Sequence, residues 1–332
     1  MQCYRKLSGL VVLLAAAGCG NAYLEQEPPA RRFRFELRAE LPAGSAGAQE
    51  TATLWLPVPV ADEAQLLGRL RPKAVGGTPV EGYDQNGNRI LSVRGTPPLR
   101  LSYAISVERF RVRRQPSDQE NGDTPEDSLG LVAPRLAPPA TVRRDSIYWT
   151  AGETRILAKA RILYDRVLDS VRFATPDVAG LGRGDLAWIR EQHIGDSVDF
   201  ATLLVAHCQS LGIPAMIEFG WRLPETIAKT PVELSRVHAW TRIYVPGMGW
   251  LEADPAAART DPEKRNFYFG SLDEHRIRLS RGRDIRLQPA QHAQPLNFFA
   301  KPYAEVAGRD AHERVRWTAR FRDILDAAPA RK

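Results

Sequence analysis

Cysteine is scarce in this chain, with three among 332 residues, at Cys3, Cys19 and Cys208. Cys3 falls in a segment that reads as removable and Cys19 reads as a modification site. Cys208 is then left alone, which excludes an intrachain disulfide framework in the mature form. The six histidines, His193, His207, His238, His275, His292 and His312, show no HExxH and no Cys/His cluster, so the metal-ligand spacings are absent. No apolar run is long enough to span a bilayer as a mature helix. Gly182 and Gly184 do not follow a strand in a βαβ unit, which speaks against a nucleotide-binding loop. The net charge is +7, and the basic residues are scattered along the chain rather than run together. That pattern suits solubility near an anionic envelope polymer and is not a nucleic-acid footprint.

The first eighteen residues stand apart. Arg5-Lys6 precede an apolar run from Leu10 to Ala17, the pattern of an export signal over 1–18. Removal of Arg5 and Lys6 would bring the net charge to +5. Ala16-Ala17-Gly18-Cys19 resembles the lipobox of bacterial lipoproteins, which would make 19–32 a tether lipidated on Cys19. An ordinary signal-peptide cut nearby, with Cys19 incidental, is the alternative. On the lipoprotein reading the acyl chains hold the protein to a membrane, and Gly20 after the cysteine points to the periplasmic face of the outer membrane.

From Phe33 the pattern has period two: Phe33, Phe35 and Leu37 alternate with Arg34, Glu36 and Arg38. Further strands are expected at 53–59, 89–93 and 99–113, giving a β-sandwich over 33–114. Residues 115–146 have the composition of a linker. Thr150 and Glu153 have the spacing of a capping box ahead of a helix that carries Ile156, Leu157, Ala160, Leu163, Tyr164 and Val167. A short helix at 186–192 and a central helix carrying Phe200, Leu203, Leu204, Cys208 and Leu211 follow, then strands at 216–219, 239–245 and 250–253. Helices first and antiparallel sheet afterwards give an α+β domain over 147–306, with 307–332 as a C-terminal extension.

Ser197 falls at the start of the central helix, where free N–H groups and the helix dipole favour negative charge. A serine hydroxyl there still needs a general base. His238 is the candidate base, and Asp254, on the strand after Gly249-Trp250, is the candidate that fixes its tautomer. The Ser197 backbone N–H is the natural oxyanion donor, with Trp188 or Gln192 as candidates for a second. Cys208 lies eleven residues further along the same helix, roughly 16 Å away along its axis, and reads as a small core hydrophobe. Singly, each of the three is an ordinary N-cap or turn residue. Their order and context point to a site.

That order, with Leu54-Trp55-Leu56-Pro57-Val58-Pro59, Gly182-Arg183-Gly184-Asp185, Asp199-Phe200, Leu211-Gly212-Ile213-Pro214-Ala215 and Pro246-Gly247-Met248-Gly249-Trp250, resembles the transglutaminase-like branch of the papain-type fold. The resemblance extends through Pro295-Leu296-Asn297-Phe298 and Pro302-Tyr303. It implies a central helix packed on an antiparallel sheet and a Cys/His/Asp triad that attacks carboxamide or peptide carbonyls through an acyl-enzyme. It implies no cofactor, and the calcium loop of animal transglutaminases has no signature here. By position the roles fall on Ser197, His238 and Asp254. Two departures matter: Ser197 replaces the nucleophilic cysteine, and Met216 replaces an arginine common after Gly-Ile-Pro-Ala. Two expectations therefore stand together. One is an envelope-anchored hydrolase or acyl-transferase; the other is an inactive binding or assembly module for peptide or peptidoglycan.

Overall fold

The computed structural model describes residues 24–114 and 136–325, apart from 46, 48, 49 and 175–177. The expected signal segment, Cys19, most of the 115–146 linker and the last residues of the chain lie outside the described residues.

Period-two alternation builds the first lobe. Strand β1 (Leu24–Leu41) buries Phe33, Phe35, Leu37, Ala39 and Leu41, and β7 (Leu99–Arg114) buries Leu101, Tyr103, Ile105 and Val107 on the same face. They pair antiparallel, with Phe35 opposite Ile105 and Leu37 opposite Tyr103. The inward rows pack on β2 (Ala52–Val58) and β6 (Arg89–Gly95) of a second sheet, whose Leu54, Leu56, Leu91 and Val93 complete one apolar core. Short strands β3 (Gln65–Leu67) and β4 (Arg71–Val75) extend the first sheet on β7, and β5 (Val80–Tyr83) extends the second on β6.

The second lobe begins with α1 (Ala140–Trp149) and α2 (Ile156–Ser170). After β8 (Arg172–Phe173) come α3 (Leu186–Gln192), β9 (Ile194–Gly195) and the central α4 (Ser197–Ser210). Then follow β10 (Ala215–Arg222), β11 (Val232–Leu234), β12 (His238–Val245), β13 (Gly249–Ala253) and α5 (Pro255–Thr260). Strands β14 (Ser271–Leu272) and β15 (Arg276–Arg281) lead to β16 (Tyr303–Val306), β17 (Arg309–Asp310) and β18 (Arg316–Asp323). The antiparallel sheet β13-β12-β10-β15 receives α4 on one face, through Ile217, Phe219, Ala239 and Ile243. Trp221, Ile277 and Leu279 of the same sheet join the core of the sandwich. The architecture is α+β, as expected.

Several sequence boundaries are corrected. The C-terminal stretch is not an appendage: β18 pairs with β1, placing Phe321 opposite Phe35, and β16 pairs with β2. Its alternation of buried Ala319 and Phe321 with Arg316, Arg320 and Arg322 needs a sheet to lie on, and the sandwich supplies it. Strand β1 likewise begins at Leu24, inside the expected tether. Helix α1 lies partly inside the expected linker and packs on α4, where Ser146 Oγ lies 2.7 Å from His207 Nδ1. Both side chains are buried, so this second serine–histidine pair is a tie between helices. The capping box does not form. Thr150 closes α1, donating its hydroxyl to Ser146 O, and α2 starts at Ile156 without a side-chain cap.

Buried ions join the lobes. The Arg31 guanidinium donates to both carboxylate oxygens of Asp323, at 2.8 and 2.9 Å, and to the carbonyls of Pro224 and Thr226. Arg278 of β15 pairs with Asp62 at 2.9 Å, and Arg242 of β12 bridges Glu252 and Glu63. Charges this deep are tolerated because each meets an opposite charge.

Candidate active site

Ser197 is the first residue of α4, and Asp196 is its N-cap. The Asp196 carboxylate accepts the N–H groups of Val198 and Asp199, while Asp199 returns a bond to the Asp196 N–H, a full capping box. The Phe200 N–H goes to Asp196 O, and among the described residues no acceptor takes the Ser197 N–H at the helix mouth. Asp199 also accepts the Gly182 and Gly184 N–H groups at 2.8 Å and so fastens the 180–184 loop beside the helix start. Gly184 has φ +63°, and a Cβ there would meet Thr202 Oγ1 at 2.5 Å, so a side chain is excluded on two counts. Burial first, then the neighbouring Asp199 charge, pushes the Asp196 carboxyl up to about 6.

His238 opens β12 and faces the same place. Its Nε2 lies 2.7 Å from Asp254 Oδ2. With Asp254 ionised, Nε2 carries the proton and Nδ1 keeps its lone pair, the tautomer a base requires. Burial lowers the imidazole pKa below the usual histidine range; Asp254 opposes that shift and the Arg276 charge adds to it. The ring is therefore neutral at pH 7. Ser197 Oγ accepts the Ala239 N–H at 3.2 Å, which ties the hydroxyl to the residue after His238. Among the described residues no direct hydrogen bond joins Ser197 Oγ to the imidazole.

Asp254 is wholly buried and N-caps α5, its Oδ1 accepting the Ala257 N–H at 2.9 Å. Burial alone would raise its pKa, yet the His238 contact and then the Arg276 guanidinium hold it well below the carboxylate range. Arg276, itself fully buried, donates to Asp254 Oδ2 at 2.9 Å and to both oxygens of Asp273, at 3.2 and 3.0 Å. Its guanidinium carbon sits 5.1 Å from the Trp240 ring centroid, and Trp240 Nε1 is anchored on Glu218 Oε2 at 2.7 Å. The Trp240 ring in turn lies against His238, with centroids 6.2 Å apart and planes 27° apart.

The structure thus brings Ser197, His238 and Asp254 to one place. Neither Trp188 nor Gln192 bonds to Ser197 among the described residues; the Trp188 ring packs over Gly180 and Gln192 is exposed. Cys208 is buried in the core of the same helix, with its thiol pushed up to about 12 by burial. The sequence reading missed Arg276, Trp240 and Glu218. Arg276 alternates with Ile277 in a strand and looks like a solvent-facing residue; it is buried because both faces of the sheet are covered, Ile277 joining the sandwich core while Arg276 meets Asp254 and Trp240. No group of three or more potential metal ligands occurs among the described residues.

Residues 146–255, which hold the helix mouth, the imidazole and the buried carboxylate, match the model of the Transglutaminase-like superfamily. The chain is 24% identical over 246 residues to an uncharacterized protein of Haemophilus influenzae. That alignment covers 64% of this chain and spans only 60% of the relative's length. Its fold is similar to the crystal structure of a proposed cysteine protease from Cytophaga hutchinsonii, with TM-score 0.59, 15% identity, and coverage of 92% of this chain and 95% of that one. The periplasmic domain of TgpA from Pseudomonas aeruginosa aligns at TM-score 0.41 and 16% identity over 73% of this chain and 77% of that one.

Proposed function

We propose that the protein is an envelope-anchored amide or peptide hydrolase or acyl-transferase that uses Ser197 as nucleophile, His238 as base and Asp254 as orienting carboxylate. The observation that carries this reading is the 2.7 Å Asp254–His238 contact, which leaves Nδ1 as the free acceptor of a neutral ring. In the first step Ser197 Oγ attacks the carbonyl carbon while its proton passes to His238 Nδ1. The tetrahedral oxygen then draws on the Ser197 N–H and the helix dipole. Collapse breaks the C–N bond, and the imidazolium returns its proton to the departing amine. Water or an acceptor amine resolves the acyl-serine by the reverse sequence, and Asp254 stays ionised throughout. A serine-directed fluorophosphonate probe tests the reading: labelling lost in Ser197→Ala and in His238→Ala supports it, and unlabelled folded wild type counts against it.

One observation favours a second reading, a retired site that binds peptide or peptidoglycan stems. Ser197 Oγ is held by the Ala239 amide rather than by the imidazole. Amidase activity that appears only in Ser197→Cys would favour that account. For location, we propose lipidation at Cys19 and attachment at the periplasmic face of the outer membrane. Cys19→Ser should release the protein from the membrane fraction, and retention there would count against the anchor.

A further inference from the structure

Basic residues scattered in the sequence gather on one face of the fold. Strand geometry turns alternate residues outward, so the side of β1 that faces away from the core presents Arg34, Glu36, Arg38 and Glu40. Register sets Arg100 beside Glu40, Arg71 and Lys73 beside Ala104 and Ser102, and Arg316 across from Glu40 on the other flank. Small side chains Ser102, Ala104 and Thr318 form the floor between these rows, leaving an open trough of about 630 Å³. Two of its cations are matched, Arg38 by Glu36 at 2.7 Å and Arg100 by Glu40 at 3.3 Å. Arg34, Arg71, Lys73 and Arg316 are exposed and have no acidic partner among the described residues.

We propose that this trough binds an acidic polysaccharide, an extended chain rich in hydroxyls and carboxylates. Four unmatched cations around a concave floor complement a linear polyanion. Cations at every second or fourth strand position repeat at about 7 and 14 Å, a spacing suited to charges strung along a chain. Ser102 and Thr318 offer hydroxyl partners that a bare charge array would lack. Strands β1 and β7 beneath the floor are paired on both sides, so between the basic rows no free backbone edge invites a peptide to add as a strand. Trp317 is the sole half-buried aromatic in the lining and Tyr103 is buried, so the row of stacking platforms that single-stranded nucleic acid needs is missing. The inference does not rest on the reading of Ser197.

The test is affinity electrophoresis of the full chain through gels containing polygalacturonate, with neutral dextran, single-stranded DNA and anionic vesicles as comparators. Wild type should be retarded by polygalacturonate and not by dextran, with the effect falling as salt rises. The triple variant Arg34→Gln/Arg71→Gln/Arg316→Gln should weaken binding about tenfold or more, a loss of about 1.4 kcal/mol or more. Arg143→Gln/Arg144→Gln/Arg166→Gln, with the same charge change on exposed positions of α1 and α2, should leave it within about twofold. No retardation, equal loss in both triples, or stronger binding to DNA or vesicles than to the polysaccharide would overturn the proposal. Matching unfolding midpoints for the variants separate lost binding from lost fold.

Discussion

His238 and Asp254 share a 2.7 Å hydrogen bond at the junction of β12 and α5, and the same carboxylate oxygen also receives Arg276 at 2.9 Å. One anion therefore fixes the imidazole tautomer while a buried cation keeps that anion ionised. The arrangement makes Asp254 the most demanding position to alter. Asp254→Asn can still cap α5 through its side-chain oxygen. It leaves the buried Arg276 guanidinium with only Asp273 and should lower the unfolding midpoint, while lowering kcat/KM of the folded protein by on the order of 10³ to 10⁴ through the wrong imidazole tautomer. An unchanged rate would remove Asp254 from the mechanism.

The pH dependence follows from the shift at His238. Burial and Arg276 depress its pKa, so the base form persists into mildly acidic solution and the acid limb of kcat/KM should fall below the usual histidine range. A group with a depressed basic pKa adds stability that is present above its unfolded value and lost as pH falls toward and below it. Arg276→Gln removes a positive neighbour and should move the acid limb to higher pH. Arg276→Lys keeps the charge and should largely restore it. A limb that does not move in Arg276→Gln would show that the guanidinium has no electrostatic hold on the ring.

Asp196 has the opposite sign. Its folded pKa, about 6, lies above the ordinary 3.8, so the native state binds the extra proton and this group's contribution to stability declines as pH rises between those values. Asp196→Asn keeps a cap and removes the buried charge. Its advantage over wild type should be near zero at pH 4 and grow to on the order of 1–2 kcal/mol by pH 7, read from urea midpoints. An advantage equal at both values would contradict the assignment.

The closure of the sandwich by its last strand rests partly on Arg31 and Asp323. Asp323→Ala leaves a buried guanidinium facing only carbonyls and His275, and it also removes the acceptor of the Ala228 N–H. The cost should be about 3–5 kcal/mol in urea unfolding. A loss under about 1 kcal/mol would mean that the pair is effectively solvated.

Much of the fold was legible because two periodicities carry it. The alternation from Phe33 to Arg38 and the helical spacing from Ile156 to Val167 each specify a buried face, and those faces are the ones in the two main cores. What was not legible depends on partners distant in sequence. The role of 316–323 is fixed by β1, almost 300 residues earlier, as the Arg31–Asp323 separation of 292 positions shows. Thr150 and Glu153 satisfied a local rule but stand at the end of α1, because the helix before them was hidden by its proline-rich approach. At the site, Ser197, His238 and Asp254 could be named because each sits at the terminus of an element. Arg276, at the start of β15, and Trp240, inside β12, act from strands buried on both faces, where the chain gives no sign of which way an arginine faces. The cationic trough escaped for a related reason: register, not sequence proximity, assembles it.

The most direct measurement of whether this helix mouth is an activating site is the alkylation of Ser197→Cys by iodoacetamide as a function of pH, mapped to residue 197. The buried Cys208, with its thiol pushed up to about 12, serves as the unreactive internal standard. If the dipole of α4 and the imidazole of His238 act as described, the apparent thiol pKa at 197 will lie near or below about 7, and it will rise in the His238→Ala background. An apparent value of about 8.5 or higher, indifferent to His238, would contradict the account.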